Sequence, residues 1–339
     1  MNTYKAMQVS QAGVLELVSR QTPAPALGEA LIRVEACGIC GADAGTVEAT
    51  APGLALPRVP GHEVAGRIAA LGAGVAGWRV GQRVGVGRLG GHCGECRQCR
   101  SGEFVLCENQ AVVGVSQDGG YAEMMLVRAS GLVAIPDELD AVNAAPLLCA
   151  GLATFNALRK SGARAGDLVA ILGVGGLGHL AVQYARKMGF KVVAIARGSE
   201  KGEQARTLGA HRYIDSTAED AAKALQAMGG AQLVLSTTTH SPAVSAVFAG
   251  LAPRGKLLVA GGGRDPIAVP PGRLVAGERV IEGTITGSPI ESEKTLEFSV
   301  LAEVRPKIEV MPLQQANAAY RRMREGKANF RMVLRIGAD

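Results

Sequence analysis

Long apolar runs and aromatic side chains are both scarce in this sequence of 339 residues. Aromatic residues make up 4% of the chain, and no uninterrupted apolar stretch approaches the roughly 18 residues that a membrane-spanning helix needs. The first residues lack the apolar core of a secretory signal. We therefore expect no membrane partner and a cytoplasmic location. The few aromatic residues favour a roomy pocket lined by aliphatic groups.

Charge of one sign is not concentrated anywhere in the chain. The 36 basic and 30 acidic residues are interspersed and give a formal net charge of +6. The longest basic cluster, within residues 321–324, is typical of a solvated helix face. This pattern argues against nucleic acid as a partner, while the small positive surplus suits a phosphate-bearing cofactor.

Glycine and cysteine are the informative residues that the chain does contain. Hydrophobic residues form 47% and charged residues 19%, a globular composition that excludes disorder and a collagen repeat. The 46 glycines predict many tight turns and close backbone approaches. The length indicates two domains. In a reducing compartment, the seven cysteines favour metal ligands or buried thiols over disulfides.

The hydrophobic pattern changes near residue 150. Alternating apolar and polar residues predict a mostly β domain over 1–150, completed by 286–339. Over 151–285, buried strands alternate with helices, so the fold class is α/β with a doubly wound parallel sheet beside the β domain. The predicted strands are 168–172, 191–196, 211–214, 232–236, 256–260 and 330–336, and the predicted helices are 144–160, 176–188, 199–208, 218–228, 242–250, 292–301 and 313–325.

A cysteine-rich loop interrupts the β region. Cys93, Cys96 and Cys99 stand at intervals of three, and Cys107 follows eight residues later. Thiolates at this spacing can surround a tetrahedral Zn²⁺, and four sulfurs leave no open position, so the loop predicts a structural zinc. One alternative is four buried thiols without a metal. Another is an iron–sulfur cluster, although the bacterial pattern has a different last interval followed by proline.

A glycine turn follows the first strand of the alternating region. The run GVGGLG at residues 173–178 joins a predicted strand to a predicted helix. In that context glycines permit a tight turn and close approach to a pyrophosphate, which meets the helix N-terminus. The turn predicts dinucleotide binding. The residues expected to bind are Gly173, Gly175, Gly176, Leu177 and Gly178.

Three further candidate ligands are far apart in the sequence. Cys40 lies in a Gly-Ile-Cys segment, His62 in Pro-Gly-His-Glu and Cys149 in Leu-Cys-Ala-Gly. Spacing alone cannot bring them together. With the four-cysteine loop, the Asp-Gly-Gly-Tyr-Ala-Glu segment at 118–123 and the glycine turn, they follow an order that resembles the zinc-containing medium-chain alcohol dehydrogenases over essentially the whole chain.

This resemblance implies that the β domain is GroES-like and catalytic. It implies that Cys40, His62 and Cys149 bind a catalytic zinc and leave a fourth position for water or substrate. It also implies that Asp43 accepts the other ring N–H of His62 and that Glu63 approaches the metal during ligand exchange. The alternative for both carboxylates is an ordinary surface position.

The sequence departs from that family where a substrate proton is usually relayed. Relatives carry serine or threonine at the position of Ala42 and a histidine near Gly41 or Gly45. The proton must then travel through water, the cofactor ribose or Thr46. Substrate and direction are therefore not transferable from the family. Cys37 has no counterpart role and is interpreted as a small buried residue.

The cofactor loop also departs from the common form. NAD enzymes place an acidic residue about 20 positions after the glycine turn, where this chain has Ala196. Arg197, Ser199 and Lys201 offer positive charge and a hydroxyl to a 2′-phosphate, so NADP(H) is predicted. If they are only solvated, NAD(H) is the alternative. By resemblance, Thr154 contacts the nicotinamide and Arg331 contacts the pyrophosphate.

Together these features predict a zinc-dependent oxidoreductase that transfers a hydride between a nicotinamide cofactor and an alcohol/aldehyde or ketone pair. Two zinc ions per chain are expected, one catalytic and one structural. The alternatives are an NADPH-dependent carbonyl or imine reductase working in the reductive direction, and a non-catalytic nucleotide-binding regulatory protein. By resemblance, the chain assembles as a homodimer or homotetramer, and its substrate is a small alcohol or carbonyl compound.

Overall fold

The computed structural model describes residues 3–337 and divides into two compact units. Unit 1 comprises Met1–Leu152 and Gly287–Asp339, and unit 2 comprises Ala153–Thr286. The strands are β1 (Thr3–Val9), β2 (Leu15–Gln21), β3 (Glu29–Ile39), β4 (Val64–Leu71), β5 (Arg83–Val86), β6 (Met124–Arg128), β7 (Leu132–Ala134), β8 (Leu168–Leu172), β9 (Lys191–Ala196), β10 (Arg212–Asp215), β11 (Ala231–Ser236), β12 (Leu251–Val259), β13 (Val280–Gly283), β14 (Ile308–Pro312) and β15 (Arg331–Arg335).

The helices are mostly short and lie between these strands. The α-helices are α1 (Ala44–Val47), α2 (Arg97–Arg100), α3 (Ala141–Pro146), α4 (Leu152–Lys160), α5 (Gly178–Lys187), α6 (Gly202–Thr207), α7 (Ala221–Ala227), α8 (Ser241–Val247), α9 (Pro271–Val275), α10 (Pro289–Leu301) and α11 (Ala316–Arg324). Single 3₁₀ turns occur at Gly41–Asp43, Phe104–Leu106, Ala129–Gly131, Phe248–Gly250 and Leu313–Gln315.

A π-helical segment at Leu147–Gly151 joins α3 to α4, so Ala141–Lys160 is one continuous helix of 20 residues. By length and composition alone this helix could cross a membrane. However, 83% of its apolar window is buried inside the protein, and the core helix of a folded domain has the same composition. The helix therefore serves here as a packing element.

Unit 1 is built around the long strand β3. A seven-stranded sheet has the order β14-β15-β3-β4-β5-β7, with β6 also paired to β3, and β1 and β2 form a separate antiparallel pair. The last residues of β3, 36–39, are all buried, as expected for a strand covered on both faces. Buried apolar side chains from these strands form one core, including Ile32, Val64 and Met332. This core supports the segment that follows β3.

Unit 2 is a six-stranded parallel sheet with the order β10-β9-β8-β11-β12-β13. The chain runs outward from β8 in one direction and then from β11 in the other, as in doubly wound sheets. Near-continuous apolar runs such as 168–172 and 231–236 suit strands buried on both faces. The predicted fold class is confirmed.

Two strands were not predicted from the sequence. All four residues of β13 are exposed, so its sequence has no alternation of buried and exposed positions. β14 ends in Pro312 and is only partly buried, which weakens its pattern in the same way. The predicted strands 168–172 and 191–196 have the observed boundaries, while helix 199–208 starts later, at Gly202.

Candidate metal centres and nucleotide site

Four buried side chains of unit 1 come together although they are far apart in the sequence. Cys40 directly follows β3, and Cys149 lies in the π-helical segment. His62 and Glu63 directly precede β4. One ligand atom from each of the four residues lies within 4.8 Å of the others. The structure thus brings the side chains of the three predicted ligands and of Glu63 into one cluster.

The pairing of β3 with β4 explains how Cys40 meets His62. Cys37 is opposite Val64 in this antiparallel pair, so the residues just after β3 and just before β4 emerge at the same end of the sheet. Cys149 approaches from the π-helical segment, an irregularity that is frequent at functional sites. Its Sγ lies 3.4 Å from Nε2 of His62.

Asp43 sets the orientation of the His62 ring. Its Oδ1 lies 2.8 Å from Nδ1 of His62. Its Oδ2 accepts hydrogen bonds from the Cys40 backbone N–H and the Tyr121 hydroxyl, both at 2.9 Å. Burial disfavours a charged ring, but the Asp43 carboxylate outweighs it and raises the pKa of His62 well above its ordinary value. With Nδ1 engaged, Nε2 faces the two thiols.

Tyr121 is a site residue that sequence reasoning missed. It is fully buried, with 0% of its surface exposed, and its hydroxyl reaches Asp43 from the segment 118–123. This segment is one of the motifs that carry the family resemblance, and its Asp-Gly-Gly-Tyr-Ala-Glu pattern is the sequence signal for Tyr121. Tyr121 therefore contacts Asp43, which in turn contacts His62.

The two thiols of this cluster have pKa values shifted in opposite directions. The hydrogen bond from Cys149 lowers the pKa of Cys40 well below its ordinary value, helped by His62 and opposed by burial. The same hydrogen bond and burial raise the pKa of Cys149. One sulfur is thus a thiolate, and the second releases its proton when a cation binds. Two thiols, an imidazole and a carboxylate, all buried, are a donor set that fits zinc.

Glu63 is bound to Arg331 at the edge of this cluster. Both carboxylate oxygens accept hydrogen bonds from Nη2 of Arg331 at 2.5 Å. The two side chains are 0% and 4% exposed. Burial raises the pKa of Glu63 to about 7, although Arg331 opposes that shift. A Cβ on Gly38 would overlap Oε2 of Glu63, so this glycine provides the space that the carboxylate occupies.

The resemblance implies that Arg331 contacts the cofactor pyrophosphate, and the structure shows its guanidinium bound to Glu63. Within residues 3–337, Nε of Arg331 has no hydrogen-bond partner although it is buried. Contact between Arg331 and a cofactor therefore stays a prediction. The pairing with Glu63 had no signal in the sequence, because 268 residues separate the two.

The four cysteines of the loop also converge. Ligand atoms of Cys93, Cys96, Cys99 and Cys107 lie within 4.8 Å of one another. Backbone N–H groups of Cys96 and of the residue before it lower the pKa of Cys93 to about 6, so this sulfur is a thiolate at neutral pH. The Nδ2 group of Asn109 lies 3.6 Å from the same sulfur. Four sulfurs at this distance fit a closed tetrahedral zinc site.

The glycine turn connects β8 to α5 in unit 2. Gly173 has a φ of +96°, and its N–H donates to the carbonyl of Ile195 at 2.8 Å. A Cβ on Gly178 would overlap the carbonyl oxygen of Gly173, whereas a Cβ on Gly175 would meet nothing within 4 Å. The turn is therefore closed towards the sheet and open on its other side, as a pyrophosphate at the N-terminus of α5 requires. Its half-buried residues are Gly173, Gly175, Gly176 and Leu177.

A cavity of about 690 Å³ lies in unit 2, lined by residues at the carboxyl ends of β8 and β9 and by residues after β10. Arg197 lines it together with Thr217. Ser199 and Lys201 are exposed in the same loop but do not line it. Only Arg197 of the three predicted phosphate contacts is thus placed at this cavity.

Two threonines named in the sequence analysis are buried. The Thr46 hydroxyl donates to the carbonyl of Gly114 at 2.6 Å, so its proton is already engaged in a backbone hydrogen bond. This contact argues against Thr46 as a proton relay. Thr154 lies in α4 with 0% of its surface exposed, and its contact with a nicotinamide stays a prediction.

Two family models and a similar protein that covers nearly the whole chain all match alcohol dehydrogenases or zinc-binding dehydrogenases. The alcohol dehydrogenase GroES-like domain family matches residues 26–137, and the zinc-binding dehydrogenase family matches residues 176–301. The alcohol dehydrogenase patD of Penicillium expansum is 43% identical over 336 residues, covering 98% of both chains. The GroES-like character predicted for the β domain is confirmed.

Two solved structures show the range of cofactors among similar folds. A structure of CAD from Helicobacter pylori complexed with NADP(H) has a TM-score of 0.87 and 25% identity, covering 98% of each chain. Acetophenone reductase from Geotrichum candidum, in complex with NAD, has a TM-score of 0.87 and 27% identity, covering 98% of this chain and 97% of that one. Similarity at this level is compatible with either cofactor.

Proposed function

The chain belongs to the zinc-dependent medium-chain alcohol dehydrogenase family, and from this premise we propose how its own residues perform the reaction. It is a zinc-dependent oxidoreductase that acts on alcohols or aldehydes with a nicotinamide cofactor. The buried convergence of Cys40, His62 and Cys149 carries the proposal that these residues hold the catalytic zinc. A second, structural zinc belongs to the four-cysteine loop.

When bound, zinc acts as a Lewis acid on the alcohol or carbonyl oxygen, and the nicotinamide exchanges a hydride with the substrate carbon. The protein prepares this site before substrate arrives. Asp43 holds His62 so that Nε2 points at the thiols. Arg331 binds the carboxylate of Glu63, so Cys40, His62 and Cys149 would be the residues that hold the zinc.

Replacing Cys149 with serine tests the zinc assignment. We expect turnover to be lost and the metal content, counted by mass spectrometry, to fall from two zinc ions per chain to one. Cofactor binding, followed by fluorescence, should persist because the glycine turn lies in unit 2. Cys37→Ser is the matched control, since Cys37 is buried and belongs to neither cysteine cluster. Normal activity of Cys149→Ser would overturn the assignment.

NADP(H) is the cofactor that the loop after β9 favours. No carboxylate is present at Ala196 to bind the ribose hydroxyls, and the exposed side chain of Arg197, which lines the adjoining cavity, is of the kind that binds phosphate. Arg197→Ala should lower the ratio of kcat/KM for NADPH to that for NADH about tenfold or more, as loss of a charge-assisted contact does. Ala196→Asp should lower it further. An unchanged ratio in both variants would leave NAD(H) as the cofactor.

Carbonyl reduction is the second candidate direction of the same chemistry. Ala42 lacks the usual hydroxyl, and the Thr46 hydroxyl donates to the carbonyl of Gly114, so neither residue is placed to relay the proton that the reaction transfers in either direction. A protein of similar fold is named acetophenone reductase. Steady-state rates measured in both directions over a panel of alcohols, ketones and imines decide between the two directions. The non-catalytic alternative loses its basis, because the matched families are enzymes.

Self-association would use the outer edge of the sheet in unit 2. All four residues of β13 are exposed, and within residues 3–337 no strand pairs with its outer edge, which offers backbone groups and the side chains of Val280 and Ile281. A second copy pairing there gives a homodimer, and two such dimers a homotetramer. Light scattering on wild type and Ile281→Lys tests this, because a charged edge should favour the monomer. A cytoplasmic location remains part of the proposal.

A further inference from the structure

Two side chains of β10 hold the backbone of the loop that follows β9. We call residues 196–199 the ribose loop. The Tyr213 hydroxyl donates to the carbonyl of Gly198 at 2.5 Å. The N–H of Gly198 donates to Oδ1 of Asp215 at 2.8 Å. Both backbone polar groups of Gly198, the residue next to Arg197, are therefore bound by β10.

The register of the sheet places Asp215 where it can do this. β10 runs parallel to β9, with Asp215 opposite Ala196 at the ends of the two strands. Gly198 has a φ of +78°, a left-handed conformation that turns the chain back towards β10. The ribose loop would have no such support from its own sequence, because it contains only one residue with a buried or half-buried apolar side chain, Ala196.

Asp215 also binds the turn that follows β10. The backbone N–H and the hydroxyl of Thr217 donate to its Oδ1 at 2.9 Å and 2.7 Å. Thr217 and Arg197 both line the cavity of about 690 Å³. One carboxylate oxygen thus links the ribose loop to the turn after β10. These hydrogen bonds, with those from Thr217 first, lower the pKa of Asp215, so the group is ionised at neutral pH.

We propose that Asp215 and Tyr213 are positioning residues that hold the ribose loop so that Arg197 can receive the 2′-phosphate of the cofactor. The inference rests on the proposed preference for NADP(H). A loop already held in its binding conformation loses less conformational entropy when the phosphate binds. An acidic residue beside a phosphate site is otherwise unfavourable, since its charge repels the ligand. Its hydrogen bonds to the loop explain why it is tolerated there.

A competing role for Asp215 is to accept a ribose hydroxyl, in place of the acid missing at Ala196. The two roles make different demands on the side chain. Holding the loop requires only an acceptor oxygen, which asparagine retains. Binding ribose hydroxyls, or acting through charge, requires the carboxylate itself. Asp215→Asn and Asp215→Ala therefore separate the two roles.

Binding of 2′-AMP and 5′-AMP to the full-length protein, measured by calorimetry, is the experiment. We expect Asp215→Ala, which removes three hydrogen bonds, to weaken 2′-AMP binding about tenfold, and Tyr213→Phe, which removes one, to weaken it about threefold. Asp215→Asn should stay within about twofold of wild type. Binding of 5′-AMP should change little in all three variants. Steady-state kinetics should show the loss in KM for NADPH, with kcat and KM for NADH retained.

Equal losses of 2′-AMP binding in Asp215→Asn and Asp215→Ala would overturn the inference, because an acceptor oxygen at this position would then not be sufficient to hold the loop. A raised KM for NADH in Asp215→Asn would overturn it in favour of ribose binding. Unchanged 2′-AMP binding in both Asp215→Ala and Tyr213→Phe would also overturn it. If wild type does not prefer 2′-AMP over 5′-AMP, and Arg197→Ala changes nothing, the NADP(H) proposal itself has failed.

Discussion

Oδ1 of Asp43 lies 2.8 Å from Nδ1 of His62, and both side chains are almost fully buried. A carboxylate in this position orients a ligating histidine and strengthens it as a donor. We expect Asp43→Ala to weaken binding of one zinc ion about 10- to 100-fold, measured by competition with a chelating dye. Asp43→Asn, which retains an acceptor for Nδ1–H, should lose less. An unchanged affinity in Asp43→Ala would contradict this prediction.

Gly38 controls where the Glu63 carboxylate can lie. A Cβ at this position would overlap Oε2 of Glu63, so Gly38→Ala should displace the carboxylate from Arg331. In enzyme substituted with Co²⁺, we expect a changed visible spectrum and a lower kcat. Gly41→Ala is the control, because a Cβ there meets nothing within 4 Å. A Gly38→Ala spectrum identical to that of wild type would show that Glu63 does not move.

The four-cysteine loop should contribute to stability rather than to turnover. Cys107→Ala removes one of four converging sulfurs, and a structural zinc stabilises a loop that has few buried apolar residues of its own. We expect one zinc ion per chain to be lost and the Tm to fall by roughly 5 °C. Residual activity at low temperature should persist, because Cys40, His62 and Cys149 are untouched. Complete loss of both metals would contradict separate sites.

Acid should weaken the ion pair between Glu309 and Arg322. Hydrogen bonds from Arg322 and from a backbone N–H lower the pKa of Glu309 below its ordinary 4.5. A lowered pKa means that the charged form favours the folded state, so its contribution is present above pH 4.5 and is lost as pH falls through the folded-state pKa.

Since both partners are partly exposed, Glu309→Gln should lower the Tm by only about 1–2 °C at pH 7. This difference from wild type should disappear as the pH falls below 4.5 and through the folded-state pKa of Glu309. Thermal unfolding across this range measures it. Glu297→Gln, at an exposed helix position, is the control. A difference that grew towards acid pH would reverse the sign and refute the assignment.

Elements with a strong local pattern were predictable. The apolar run 168–172, the glycines after it and the helix that follows have boundaries that agree with the structure to within two residues. β13 was missed because its four residues are all exposed and have no hydrophobic period. Such an edge strand is defined by pairing with β12, a contact between residues far apart in the chain.

The candidate sites likewise include some residues that the local sequence predicts and others that it does not. The four-cysteine loop could be predicted because its ligands lie within 15 residues, and local spacing limits their separation. The buried pair of Glu63 and Arg331, and the role of Gly38 beside it, could not be predicted. The hydrogen bonds of Gly198 with Tyr213 and Asp215 could not be predicted either, since they depend on the register of β9 and β10.

By itself, the sequence determined the strand–glycine–helix turn, the cysteine loop and the absence of an acid at Ala196, because each depends on neighbours along the chain. Only the tertiary structure brought Cys40, His62 and Cys149 together. Their meeting depends on the antiparallel register of β3 with β4 and on the π-helical segment at 147–151. The register follows from which face of each strand the shared core buries, and that core is formed by residues far apart in the chain.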